Sequence, residues 1–88
     1  MKFLVILEPS SATGRIYAEN NDGLTSGGEI KYPVLACTAI NFDNPHYIFV
    51  NRGGNQSKSH QSLYLPYHSV AHIVQYDEQE QLPPGFVR

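Results

Sequence analysis

The sequence contains a single cysteine, Cys37, and no tryptophan. A lone thiol excludes an intramolecular disulfide and cannot build a structural zinc site; set in an apolar run, it reads as a buried, inert side chain. Charge is also scarce, at 16% of residues where about 25% is usual for a soluble domain. Six Lys and Arg stand against eight Asp and Glu, a net charge of −2, so any nucleic-acid site has to be local rather than a general attraction to phosphate. With little charge and six tyrosines, part of the surface is expected to be an interface. Long hydrophobic runs are missing too. Residues 3–7 are too short for a signal-peptide core, lead into Glu8-Pro9-Ser10 without a small-residue cleavage site, and fall far below the roughly 20 apolar residues of a membrane span. The expectation is a cytoplasmic protein without membrane association.

Signatures of catalysis are equally thin. His46, His60, His68 and His72 have no cysteine or carboxylate at metal-ligand spacing, and in a strand His68 and His72 stand about 13 Å apart, so no metal and no cofactor are expected. Gly27-Gly28 and Gly53-Gly54 do not lie between a strand and a helix, as a phosphate-binding loop requires. No serine sits in a nucleophile elbow, and Asp43, Asp77, Glu78 and Glu80 are explained by turns and solubility. The reading is not an enzyme, with no catalytic residues.

What the chain does have is β pattern. Residues 62–77 form two β-rich runs hinged at Pro66-Tyr67-His68-Ser69. Leu63 and Leu65 alternate with Tyr64 and Pro66, whereas Val70, Ala71, Ile73 and Val74 place apolar atoms on both faces, which suits an inner barrel strand or an edge strand capped by another subunit. Residues 3–7 read as a first buried strand. Arg15 to Glu19 has strand-like composition and leads into Asn20-Asn21-Asp22-Gly23, where Asp-Gly suits a tight hairpin with residues 24–26 pairing back. Residues 29–42 read as one long strand, with Ile30, Tyr32, Val34, Ala36, Thr38, Ile40 and Phe42 on one face; Pro33 marks an edge, a bulge or a change of partners. Asp43-Asn44-Pro45-His46 is a turn, and residues 47–52 pair back as a hairpin that alternates Tyr47, Phe49 and Asn51 with Ile48, Val50 and Arg52. Residues 53–61 contain no apolar side chain and read as an exposed, mobile loop carrying Lys58 and His60. Helix is expected to be nearly nil, unless a short turn forms around residues 10–14. The fold class is therefore all-β: a small, strongly bent barrel of five or six strands over residues 1–81, followed by a Pro-rich tail, residues 82–88, that either docks on a neighbour or stays disordered.

Two strand-joining segments combine an aromatic, a histidine and a small polar residue: residues 42–47 and residues 66–69. Such side chains stack on unpaired bases and hydrogen-bond their edges without much positive charge. Asn41-Phe42-Asp43 followed by Tyr47-Ile48-Phe49-Val50, together with residues 67–74 (YHSVAHIV), resembles the Sm-like family, including its bacterial Hfq branch. The likeness spans about Glu29 to Asp77. It departs from the family pattern where Tyr67 replaces the lysine before the loop histidine and where residues 3–7 stand in place of an amino-terminal helix.

The resemblance implies an SH3-like or Sm-like barrel, and a homo-oligomeric ring of about five to seven subunits in which the final strand pairs with the next copy. It also implies single-stranded RNA, or DNA, held at the inner loops. On that reading Asp43, Asn44, His46, Tyr47, Tyr67 and His68 lie near the pore, with Arg52 and Lys58 offering phosphate contacts. The competing expectation is an SH3-like protein-interaction or assembly module that binds no nucleic acid.

Overall fold

The structure is a computed structural model and describes residues 2–25, 28–54, 57–77 and the backbone of 86–87. It is all-β: seven strands form one antiparallel sheet, with β1 Lys2–Leu7, β2 Gly23–Thr25, β3 Pro33–Asn41, β4 Tyr47–Arg52, β5 Gln61–Pro66, β6 Val70–Tyr76 and β7 Phe86–Val87. The main path runs β5-β4-β3-β1-β6, and β2 bridges β3 to β7. A three-residue 3-10 turn, Tyr67–Ser69, joins β5 to β6 at the hinge expected from the sequence.

The sheet is curled around one apolar cluster. Val5 and Leu7 of β1, Leu35 and Cys37 of β3, Ile48 and Val50 of β4 and Leu65 of β5 are all buried in it, and Val70 and Ile73 of β6 pack against them. Alternation along β1 sends Leu4 and Ile6 to the opposite face, where Val34, Ala36 and Tyr76 form a second, smaller cluster. β1 and the first half of β3 are therefore apolar on both faces because both faces are covered. The barrel does not close by strand pairing. β5 and β6 end the path, and among the described residues no ladder joins them.

β3 bends where it exchanges partners. Its start pairs with β2 (Gly23↔Val34, Leu24↔Pro33), its later part with β4, and Pro33 stands at its first position, where no ladder donor is needed. Between Cys37 and Ala39 the register shifts, and this one-residue slip exchanges the faces, so that Ile40 joins Leu35 and Cys37 against the main core. The expected grouping of Ile40 with Val34 and Ala36 is thereby corrected. The strand is also shorter than the stretch from residue 29 to 42.

The expected strand at Arg15 to Glu19 is instead helix and turn: α1 spans Ala12–Ile16. The Ser11 hydroxyl accepts from the Gly14 amide at 2.9 Å and donates to the Glu8 carbonyl at 2.7 Å, which caps the helix and folds it against the end of β1. Gly14 is required by this approach, since a Cβ there would lie 2.0 Å from the Glu8 carbonyl oxygen. Ile16 is left exposed, while Tyr17 packs on the main core. Asp22-Gly23 forms no hairpin with residues 15–19; β2 pairs with β3 and β7 instead. The end of the chain returns to its own sheet, with Phe86–Val87 antiparallel to β2, and the rest of the tail lies outside the described residues. No helix among the described residues is long and apolar enough to cross a membrane.

Candidate functional site

Two connections meet at one end of the sheet. In the β3–β4 loop the Asn41 side-chain oxygen accepts from the Asp43 amide at 2.8 Å, and the Asn44 side-chain oxygen accepts from the amides of His46 and Tyr47 at 2.8 and 3.1 Å. Two successive Asx turns hold this loop. The second connection is the 3-10 turn, anchored where the buried Ser69 donates from its hydroxyl to the Pro66 carbonyl at 2.6 Å and accepts through its own carbonyl from the Glu8 amide at 2.8 Å. Tyr67 ties the two together: its hydroxyl donates to the Asn44 carbonyl at 3.0 Å, with the Phe42 carbonyl at 3.5 Å. Tyr47 stands opposite Pro66 in the β4–β5 ladder, completing the corner.

The corner's surface is aromatic. Phe42 is 56% exposed, Tyr47 44% and Tyr67 41%, and Asp43, Asn44, His46 and His68 are exposed beside them. Six of the eight residues singled out from the sequence are thus brought to one place. Asn44 has its side-chain oxygen committed to the loop itself, so its side chain offers a ligand only its Nδ2 donors.

Arg52 and Lys58 belong to the other end. Arg52 closes β4 five residues beyond Tyr47, a separation of about 17 Å along the strand. Its side chain points to the core face, as alternation with Ile48 and Val50 requires, and only 2% of the residue is exposed. The guanidinium is engaged at all three nitrogens: Nη2 and Nε donate to the Asp22 carboxylate at 2.9 and 3.3 Å, Nη1 donates to the Gln61 side-chain oxygen at 2.8 Å, and the group lies 5.7 Å from the centroid of the Tyr17 ring. The expected phosphate contact from Arg52 is replaced by a structural ion pair. Lys58 remains exposed, but its backbone amide donates to Asp22 at 2.6 Å, so the segment read as a mobile loop is tethered there.

By sequence Asp22 is a turn residue, yet its carboxylate also accepts from the Ala36 amide at 2.7 Å, at the point where β3 passes from β2 to β4. The signal that was available is Arg52 itself, an arginine on an apolar strand face, which demands a buried anion. Cys37, opposite Arg52 in the β3–β4 ladder, is buried with its thiol pushed up to about 12, chiefly by burial and then by the Asp22 charge, with Arg52 opposing.

Two further features lie beside the corner. α1 packs against the 3-10 turn and carries the exposed Arg15 in its last turn. The outer face of the β4–β5 ribbon continues the aromatic surface, with Phe49 and Tyr64 paired across the strands, their ring centroids 5.0 Å apart. Period-two alternation, which sets Phe49 against Ile48 and Val50 and Tyr64 against Leu63 and Leu65, is the sequence signal for this pair. Among the described residues no three or more His, Cys, Asp or Glu side chains converge as a metal site. Compared with known protein families, curated proteins and solved structures, the chain finds no match.

Proposed function

We propose that the protein is an Sm-like, homo-oligomeric β-protein that binds single-stranded RNA at the Tyr67 corner. The observation carrying this reading is the hydroxyl bond from Tyr67 to Asn44, which joins two loops into one preorganised surface of exposed rings, imidazoles and amides. Unpaired bases stack on such rings and present their edges to the neighbouring polar groups. Assembly is supported by the strand order, because β5 and β6 are the two ends of the sheet path and pairing of one with the other on a neighbouring copy is a head-to-tail contact that closes into a ring when the rotation allows. A ring repeats the corner in every subunit, and multivalency then raises the affinity of a weak single site. Arg15 takes the phosphate-binding role that Arg52 is not free to fill.

A second reading, a protein-interaction module, is favoured by one observation: the corner carries the carboxylate of Asp43, whereas Arg52 and Lys58 lie at the opposite end of the ribbon. A fluorescent oligo-uridine titration separates the two. Binding that weakens with salt, is lost in Tyr67→Ala/His68→Ala without a change of oligomer mass, and has its salt slope reduced by about 1 in Arg15→Gln supports the RNA reading. No binding at low salt removes it in favour of the protein-interaction module.

A further inference from the structure

The outer face of the β4–β5 ribbon leads away from the corner in three rungs. Tyr47 opposes Pro66, Phe49 opposes Tyr64, and Asn51 opposes Ser62. Tyr64 is 65% exposed and tilted 51° against Phe49, so a ring face is open to solvent rather than closed in a stacked pair. On the next rung the Ser62 hydroxyl donates to the Asn51 side-chain oxygen at 2.7 Å, which orients the amide on the same exposed face. Beyond it the loop joining the two strands carries Lys58 and His60, both exposed.

From this sequence of groups we infer that the ribbon is a track for an extended single strand: a base docked at the Tyr67 corner, the next stacked on Tyr64, and the third read through its edge by Asn51 and Ser62, with Lys58 taking a phosphate at the far end. The inference rests on the RNA reading of the corner and extends it.

Spacing supports the occupant. Successive rungs are about 6.6 Å apart, roughly twice the 3.4 Å rise of a stacked strand, so bases on this track are separated from one another and each is held by protein instead. Splayed bases of that kind are what sequence-tolerant single-strand binders hold. Along the ribbon two aromatic rungs give way to an amide–hydroxyl rung, and the loop beyond carries the exposed Lys58.

Three full-length variants test this: Tyr64→Leu, which keeps apolar packing against Phe49 but loses the π-face; Tyr64→Trp, which introduces the chain's sole indole as a reporter; and Tyr67→Ala at the corner. Each is titrated with uridine monophosphate and with oligo-uridine of about twelve nucleotides, lengths that stop at the corner or cover the ribbon. The expected result is that Tyr64→Leu weakens binding of the longer oligonucleotide about tenfold, with a much smaller effect on the mononucleotide and with thermal midpoint and oligomer mass unchanged. The indole of Tyr64→Trp is quenched as the longer oligonucleotide binds. Wild-type affinity in Tyr64→Leu, or an unquenched indole, overturns the track; if Tyr67→Ala has meanwhile lost binding, the corner stands without it. A fall in oligomer mass in Tyr64→Leu at unchanged affinity identifies the face as a protein contact and likewise overturns the proposal. If the wild-type protein binds neither length, corner and track fall together.

Discussion

Asp22 is the residue on which the bend of the sheet depends. Where β3 leaves β2 and has not yet met β4, the Ala36 amide has no strand partner, and the Asp22 carboxylate supplies one while neutralising Arg52 and holding the Lys58 amide. A buried ion pair adds little relative to an apolar pair, but breaking one side of it leaves an uncompensated charge. Asp22→Asn keeps the size and one acceptor yet strands the guanidinium, and the expected loss is about 3–5 kcal/mol, read as a lower denaturation midpoint in urea at unchanged slope. Replacing Lys58 with Ala, by contrast, retains the amide that Asp22 uses and should leave the stability within about 0.5 kcal/mol of wild type. Equal sensitivity of the two variants would show that the carboxylate is not the anchor. At this scale the sequence was half legible. Alternation put Arg52 inward with Ile48 and Val50, but its partner lies 30 residues away in a turn, and no periodic pattern links positions that far apart.

At the scale of the element, strands were legible and the helix was not. β1, β4, β5 and β6 carry alternating or continuous apolar runs, and each forms close to where those runs lie. α1 has five residues, too few for a 3.6-residue pattern to appear, and Gly14 stands at the position where a glutamate would have completed a capping box with Ser11. What specifies it is a close approach, because the chain after β1 turns so tightly that the helix backbone packs on the Glu8 carbonyl with no room for a side chain. Gly14→Ala illustrates the balance: helix propensity alone predicts a gain of about 1 kcal/mol, and the clash predicts a loss of about 1–3 kcal/mol. At 2.0 Å from a backbone oxygen the clash wins, so the variant should unfold at lower temperature than wild type. Because α1 packs on the 3-10 turn, the same variant should also weaken oligonucleotide binding by displacing Tyr67. A higher melting temperature would mean that Glu8 moves aside freely. The bulge in β3 escaped sequence reading for a related reason: Thr38 and Ala39 are both small enough for either face, so no hydrophobic signal marks where the register slips.

For the whole molecule, the open path of the sheet governs. A domain of this size buries only about 60–65% of its unfolded surface and is marginal when alone, and a strand at the end of a sheet path is either protected or used. The inner side of β6 is paired from Lys2 to Leu7 of β1, yet β6 ends the main path, as β5 does at the other side, and neither edge is blunted by a lysine within its strand. If those edges meet between copies, folding and assembly are one equilibrium, and dilution destabilises the native state by mass action. Each tenfold rise in protein concentration then stabilises the protomer by about 1 kcal/mol, which for a domain of this length raises Tm by roughly 4–8 °C. Thermal unfolding followed across a hundredfold range of concentration, with sedimentation at both extremes, measures this directly. A multimeric mass together with a rising Tm is the outcome that edge-to-edge assembly requires. A monomeric mass with a constant Tm would leave each corner acting singly, and the affinity gained from a ring of repeated sites would be lost with it.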